Sequence, residues 1–339
     1  EKDLLQRSYA GKRILITGAG GSIGSELVRQ VSQHAPGALG LLDFSEYNLF
    51  QIELTQRQFF PGIPLETYLT DIRDPAAVRR TLRDFAPEVI FHAAAYKHVP
   101  LMELHPRETV YNNVVGTRNL ALAATESGVE RFVLVSTDKA VRPTNVMGAA
   151  KRVAEMLLAS LTDRTATRFV SVRFGNVLGS SGSVVPIFQQ QISQGKPVTV
   201  THPEVTRYFM SIPEAAQLIL QAGAMGRGGE IFILDMGKPV KIVDMAREVI
   251  RLHGYEPDRD IPIEYIGLRP GEKLFEELIT AGEGIMPTAH EKIKVIHGNH
   301  GDFQALSAAI DALIVTADTY DHGAIKDKLR AIVPEYTPQ

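Results

Sequence analysis

Cysteine is absent from this 339-residue chain. That excludes disulfides, thiolate metal sites and a cysteine nucleophile, and it fits a cytosolic enzyme. A surplus of one charge is absent too: 36 basic and 39 acidic side chains leave a formal charge of −3. The signs are well mixed, so nothing electrostatic argues for a nucleic-acid or membrane-surface partner. No window approaches the roughly 18 consecutive apolar residues that span a bilayer, and no signal peptide is visible. Repeats and low-complexity segments are lacking as well. What is there is ordinary for a globular protein: 44% hydrophobic and 22% charged residues. The length suits one large domain or two modest ones.

The first half alternates short β-branched runs with helical patterns. Lys12–Thr17, Leu39–Asp43, Glu66–Leu69, Glu88–His92, Arg131–Ser136 and Arg168–Phe174 read as strands. Ser22–Gln33, Tyr47–Phe60, Ala76–Phe85, Leu101–Ser127 and Asn145–Leu161 read as helices, the third opened by Asp74-Pro75. This alternation predicts an α/β fold, a Rossmann-type doubly wound parallel sheet. From 175 to 210 the texture turns to Gly, Ser, Pro and Gln. Pro213–Ala224 then reads as a helix, Glu230–Leu234 as a strand rejoining the sheet, and Ile242–His253 as a further helix. The expected division is a Rossmann domain over 1–175, with 211–235 returning to it. A smaller mixed α/β substrate region then covers 176–339.

Gly18-Ala19-Gly20-Gly21-Ser22-Ile23-Gly24 follows the first strand and opens the first helix. Glycines at 18, 21 and 24 permit a tight turn and close backbone approach to a pyrophosphate. The anion then meets the free N–H groups of Ser22 and Ile23 at a helix N-terminus. Such a pattern alone is weak; here a strand precedes it, a helix follows, and an acid ends the next strand. That acid, Asp43, lies 19 positions after Gly24. A carboxylate there accepts from the adenosine ribose hydroxyls and repels a 2′-phosphate, which favours NAD over NADP. Asp71 and Ile72, after the third strand, are candidates to meet the adenine edge, and Ala93 and Ala94, after the fourth, to line the cofactor. For the glycine pattern a purely structural turn is the weaker reading, whereas Asp71 taken alone reads more readily as a loop residue.

More specific motifs follow. They are Ala93-Ala94-Ala95-Tyr96-Lys97-His98-Val99-Pro100, Ser136-Thr137-Asp138-Lys139 and Pro143-Thr144-Asn145-Val146-Met147-Gly148-Ala149-Ala150-Lys151. Arg173-Phe174-Gly175-Asn176-Val177-Leu178-Gly179 and Arg269-Pro270-Gly271-Glu272-Lys273 complete the set. Together, over nearly the whole chain, they resemble the UDP-N-acetylglucosamine 4,6-dehydratases of bacterial surface-glycan synthesis, an extended branch of the short-chain dehydrogenases/reductases. Most short-chain dehydrogenases carry Tyr-x-x-x-Lys on one helix face. Here the interval to Lys151 is kept, but its first member is Met147. A thioether has no proton to exchange. The large, membrane-associated dehydratase subgroup also has Met there. In that subgroup a transmembrane region precedes the catalytic domain, so an anchor ahead of Glu1 and a catalytic domain on the cytoplasmic face are expected.

The resemblance implies a redox-neutral reaction on UDP-N-acetylglucosamine. Hydride leaves C4 for NAD, water is lost across C5 and C6, and the hydride returns to C6. It implies that Asp138 protonates the departing 6-hydroxyl, that Lys139 takes the C5 proton, that Thr137 bonds the sugar near its 4-oxygen, and that Lys151 holds the nicotinamide ribose. A lysine base must be neutral, so a depressed Lys139 pKa is expected, from burial and the nearby Lys151. With no Tyr, the 4-hydroxyl proton is assigned to Asp138. The substrate grip is assigned to Lys97, Asn176, Ser183, Val184, Arg207, Arg269 and Glu272, the two arginines as bidentate phosphate donors. His92, His98 and His105 read as structural or pocket-lining; no metal and no nucleic acid is expected. The fold commonly pairs through the helices at 101–127 and 145–161, so a homo-oligomer is expected. Two alternatives stay open: an epimerase or reductase of the same fold, and an inactive NAD-binding sensor, for which Met147 is the best support.

Overall fold

A helix, α1 (Lys2–Tyr9), precedes the first strand and buries Leu5 and Tyr9. Strands and helices then alternate: β1 (Arg13–Thr17), α2 (Ser22–Ser32), β2 (Ala38–Asp43), α3 (Glu46–Phe59), β3 (Leu65–Leu69), α4 (Pro75–Phe85), β4 (Val89–His92). The computed structural model describes residues 2–279, 284–298 and 301–338. Strand β2 is buried at all six positions and β4 at all four, as continuous apolar runs between two helix layers must be. Asp74 caps α4 by accepting from the Ala76 and Ala77 N–H groups, and Pro75 occupies the first turn, where its missing N–H costs nothing.

The single helix expected over 101–127 is divided. Its parts are α5 (Val99–Leu104), α6 (Pro106–Thr109), a π-helical stretch Val110–Val115 and α7 (Gly116–Glu126). Pro106 forbids a continuous helix, and His105 before it takes φ −130°. Next come β5 (Arg131–Val135), α8 (Val146–Leu161) and β6 (Arg168–Arg173), then a smaller lobe: β7 (Asn176–Leu178), α9 (Val184–Ser193), β8 (Val198–Val200), β9 (Thr206–Arg207) and β10 (Phe209–Ser211). Helix α10 (Ile212–Met225) and β11 (Glu230–Leu234) return to the main sheet. The smaller lobe resumes with β12 (Val240–Lys241), α11 (Ile242–Leu252) and β13 (Ile263–Tyr265), and the chain ends with β14 (Met286–Pro287), β15 (Ile293–His297), α12 (Phe303–Ala317) and α13 (His322–Ile332).

Among the described residues the main sheet has nine strands in the order β14-β15-β11-β6-β5-β4-β1-β2-β3. It is parallel from β11 to β3 and antiparallel at β15 and β14. The order reverses between β1 and β4. At such a switch point the loops leave in opposite directions and open a crevice for a ligand. One apolar core lies between the sheet and α1, α2 and α10; a second lies under α4, α7 and α8. The smaller lobe has its own core, built on Phe188, Val198, Ala246 and Ile250.

One expectation needs correction. The region 176–339 does not all belong to the smaller lobe, because β15 pairs with β11 in the main sheet and α12 and α13 pack on α8. The α8 residues Val146, Ala150, Val153 and Leu157 share a core with Ile310, Leu313, Ile325 and Leu329 of those two helices. Among the described residues no helix is long and apolar enough to cross a membrane.

Candidate active site

Above the switch point lies a cavity of about 880 Å³, the size of an ordinary small-molecule site. Its floor is the glycine turn. Gly18 has φ +64°, and a Cβ there would come 2.7 Å from the Ala94 nitrogen. A Cβ on Gly24 would lie 2.0 Å from the Gly18 carbonyl oxygen, so α2 could not start so close to β1. No side chain caps α2 at Gly21, and the helix start faces the cavity through Gly21, Ser22, Ile23 and Gly24. Asp43 stands just behind this turn, accepting from the Gly20 and Ser45 N–H groups (both 3.0 Å). The backbone cradle thus fits a dinucleotide pyrophosphate. Ala93 lines the cavity, and Ala94 packs its backbone against Gly18. Asp71 and Ile72 do not line it. The Asp71 carboxylate is clamped by the Arg73 guanidinium at 2.6–3.0 Å, which holds it below the usual carboxylate range, and Ile72 is buried against Gly116.

The opposite wall is made of side chains. After β5, Thr137 caps a short 3-10 turn and places Asp138 and Lys139 at the sheet's C-terminal edge. The Thr137 hydroxyl donates to Asp138 Oδ1 (2.9 Å), and so does the Lys139 ammonium (3.0 Å). Lys139 also donates to Asn176 Oδ1 (3.2 Å) and lies 3.4 Å from Glu276 Oε1. Asp138 is 1% exposed, and its Oδ2 has no hydrogen-bond partner among the described residues. Gly175 leaves room for that oxygen, since a Cβ there would lie 3.2 Å from it. Burial pushes the Asp138 carboxyl up, Glu276 adds to this, and Lys139 opposes it. A carboxyl in that position holds a proton more firmly than a solvated one.

Lys139 overturns the expectation of a depressed pKa. Burial alone would lower it, but Asp138 and Glu276 outweigh burial and hold the ammonium above its usual value. The lowered lysines are its neighbours. Lys97, which donates to the Ser180 hydroxyl (3.3 Å), is depressed by burial and by the charge of Lys139. Lys151, bound to the Val135 carbonyl (2.7 Å), is pushed down to about 8 by burial despite Glu155. Met147 lies on the cavity wall, 3% exposed.

The remaining predicted residues meet on the same cavity: Lys97, Asn176, Ser183, Val184, Arg207, Arg269 and Glu272 all line it. Arg207, on β9, is tied to Glu272 at 2.9 Å, and Ser183 caps the start of α9 with a buried hydroxyl that has no hydrogen-bond partner among the described residues. His98 and His105 line the cavity, whereas His92 is buried between the Thr17 and Thr117 hydroxyls at 2.7 and 3.0 Å. Burial lowers its pKa to about 3, so it stays neutral. Sequence reasoning missed Glu276, a second buried carboxylate on the wall. Its only local signal is position, four residues beyond Glu272. A separate groove of about 700 Å³ between α2 and α3 mixes apolar side chains with polar ones such as Asn48, Gln51 and Thr55, and its charged groups Glu26 and Arg29 bind each other.

A family model described as polysaccharide biosynthesis protein matches residues 14–298. The capsular polysaccharide biosynthesis protein CapD of Staphylococcus aureus is 52% identical over 292 residues, covering 86% of this chain. The chain spans about half of that relative's length, 49%. A UDP-N-acetylglucosamine 4,6-dehydratase (inverting) of Campylobacter jejuni is 34% identical, covering 81% of this chain and 79% of its own. A UDP-glucose 4-epimerase of Rickettsia bellii is 32% identical, covering 81% and 80%.

Proposed function

The chain belongs to the family of polysaccharide biosynthesis proteins, and within it we propose that this domain dehydrates UDP-N-acetylglucosamine across C5 and C6, with NAD as resident cofactor, to the 4-keto-6-deoxy sugar. The observation that carries this reading is the Asp138–Lys139 contact at 3.0 Å, with Lys139 and Met147 lining the same cavity. An acid–amine couple stands where an epimerase needs only a phenol, and the phenol is missing. That weighs against the epimerase reading, although an epimerase relative is almost as similar as the dehydratase.

NAD, when bound, supplies the acceptor and donor of the hydride. The glycine turn and the α2 N-terminus hold its pyrophosphate, Asp43 its adenosine ribose, and Lys151 its nicotinamide ribose. Asp138 receives the 4-hydroxyl proton; its raised pKa lets it keep that proton until it is passed to the departing 6-hydroxyl. Lys139, as the free amine, takes the C5 proton that the 4-ketone has acidified and gives a proton back to C5 when the hydride re-enters at C6, so that the amine ends free. Arg207 and Arg269 hold the diphosphate, which requires Arg207 to release Glu272. The Asn176–Val184 segment borders the nucleoside.

The test is mass spectrometry of UDP-N-acetylglucosamine incubated with the protein. A loss of one water, with unsaturated-ketone absorbance after base treatment, is the expected result. Asp138→Asn is expected to lower kcat about 10²–10⁴-fold. Full turnover by that variant would remove Asp138 from its role. Tight NAD with no product from the unaltered protein would favour the sensor.

A further inference from the structure

The segment after β13 folds back over the sheet's C-terminal edge instead of running out into solvent. Asn145 Nδ2 donates to the Gly271 carbonyl (3.1 Å), and the Lys273 ammonium to the Val141 carbonyl (3.0 Å). Gly271 has φ +74°, and a Cβ there would lie 2.7 Å from Asn145 Cβ, so only glycine permits this approach. The docking delivers Glu276 into the cavity wall with a side chain 3% exposed. Its Oε1 is 3.4 Å from Lys139 Nζ and 3.7 Å from Arg207 Nε. Its Oε2 is buried with no hydrogen-bond partner among the described residues. A buried carboxylate satisfied on one side only is costly, and it is more than packing requires.

We propose that Glu276 is a positioning residue that sets the charge and the aim of the Lys139 amine. This rests on the reading of Lys139 as the C5 base. The amine is then governed by two carboxylates, Asp138 from its own turn and Glu276 from the distant loop. The other groups facing Lys139 are Thr137 and Asn176, which are neutral, and Arg207 and Lys97, which are cationic. Glu276 itself faces Lys139, Arg207 and Lys273, whose charges hold it ionised against the effect of burial. The ammonium, bound on both sides, is aimed into the cavity but stays charged until the medium is alkaline enough to release its proton. Removing the Glu276 charge should let that proton go at lower pH.

The experiment is competitive acylation of Lys139 with acetic anhydride across pH, read by peptide mass spectrometry, on the unaltered protein, Glu276→Gln and Glu276→Asp. The Gln variant keeps the shape and an acceptor oxygen but not the charge. Its labelling midpoint is expected to fall by about one pH unit. The ascending limb of kcat against pH should move the same way by the same amount. Glu276→Asp, which keeps the charge but withdraws it, should fall between the two. A purely structural role would lower kcat at every pH and move neither midpoint nor limb. An unshifted Lys139 midpoint in a folded Gln variant overturns the proposal, and if that variant does not fold, an unshifted midpoint in the Asp variant does so. Acylation needs no substrate turnover. An unaltered protein that makes no keto sugar therefore counts against the dehydratase reading, while the labelling shift still decides the role of Glu276.

Discussion

At the floor of the cavity the glycine turn between β1 and α2 offers backbone; at the wall above it, Lys139, Arg207, Glu272 and Glu276, with Asp138 buried behind Lys139, offer charge from three separate parts of the chain. Gly18, Gly21 and Gly24 lie within one turn of chain and act by what they lack. Asp138, Lys139, Arg207, Glu272 and Glu276 act by what they carry; Asp138 and Lys139 are adjacent on one turn, and Arg207, Glu272 and Glu276 reach them only because the smaller lobe folds back onto the sheet. A backbone site costs no desolvated charge. The charged wall does, and it rests on a further buried pair: Glu155 and Arg173 meet at 2.7 Å beneath it, and Glu155 also accepts from the Ser136 hydroxyl at 2.7 Å. The comparison makes the floor tolerant of side-chain change and sensitive to any added Cβ, and the wall the reverse.

The largest expected effect lies under the wall. Glu155→Gln keeps the shape but removes the negative charge that the buried Arg173 guanidinium meets at 2.7 Å. Breaking a buried pair from one side costs about 3–5 kcal/mol, to be read from urea denaturation. Arg173 holds the Glu155 carboxyl below the usual range, although burial opposes this. A depressed carboxyl adds stability above its unfolded pKa and loses it as pH falls through the lower, folded value. The variant's deficit should therefore shrink in acid. A loss under about 1 kcal/mol would show that the wall does not stand on this pair.

Next in size is the floor. Gly18→Ala puts a Cβ at 2.7 Å from a backbone nitrogen at φ +64°, so the turn must move. Dinucleotide affinity should fall about 100-fold, roughly 2.7 kcal/mol, by calorimetry with NAD. Retained affinity would break the distinction between the two ends of the cavity.

That distinction also explains what the sequence made legible. The floor is local: a strand, three glycines, a helix and an acid at the next strand's end are a short-range pattern; the three glycines line the cavity, and Asp43 stands behind them, bound to the Gly20 and Ser45 N–H groups. The strand–helix alternation through β6 is legible for the same reason, since each unit announces its own period. The helix that the sequence predicts over 101–127 is divided at Pro106, and the π-helical stretch after it has no period that the sequence displays. Strand β15, by contrast, is placed in the main sheet only by its pairing with β11. Helices α12 and α13 look like any amphipathic pair until α8 is there to receive them. Glu276 and the raised pKa of Lys139 belong to the same class. Burial and Lys151 are the influences expected on Lys139; the fold sets the Asp138 and Glu276 carboxylates beside it, and the sign reverses.

The smallest expected effect falls where the two ends meet. Met147 opens α8 on the cavity wall, at the position where a proton-carrying phenol would stand in most relatives of this fold. It is 3% exposed and carries no exchangeable proton, so its contribution is shape. Met147→Leu nearly conserves volume, a swap that usually costs under 1.5 kcal/mol. We expect kcat within about threefold of the unaltered protein and an unmoved pH profile, because the titrating groups all lie elsewhere. A fall beyond about 30-fold at unchanged stability would mean the sulfur does more than fill space. The proton path could not then be confined to Asp138 and Lys139, and the wall would have to be redrawn to include α8.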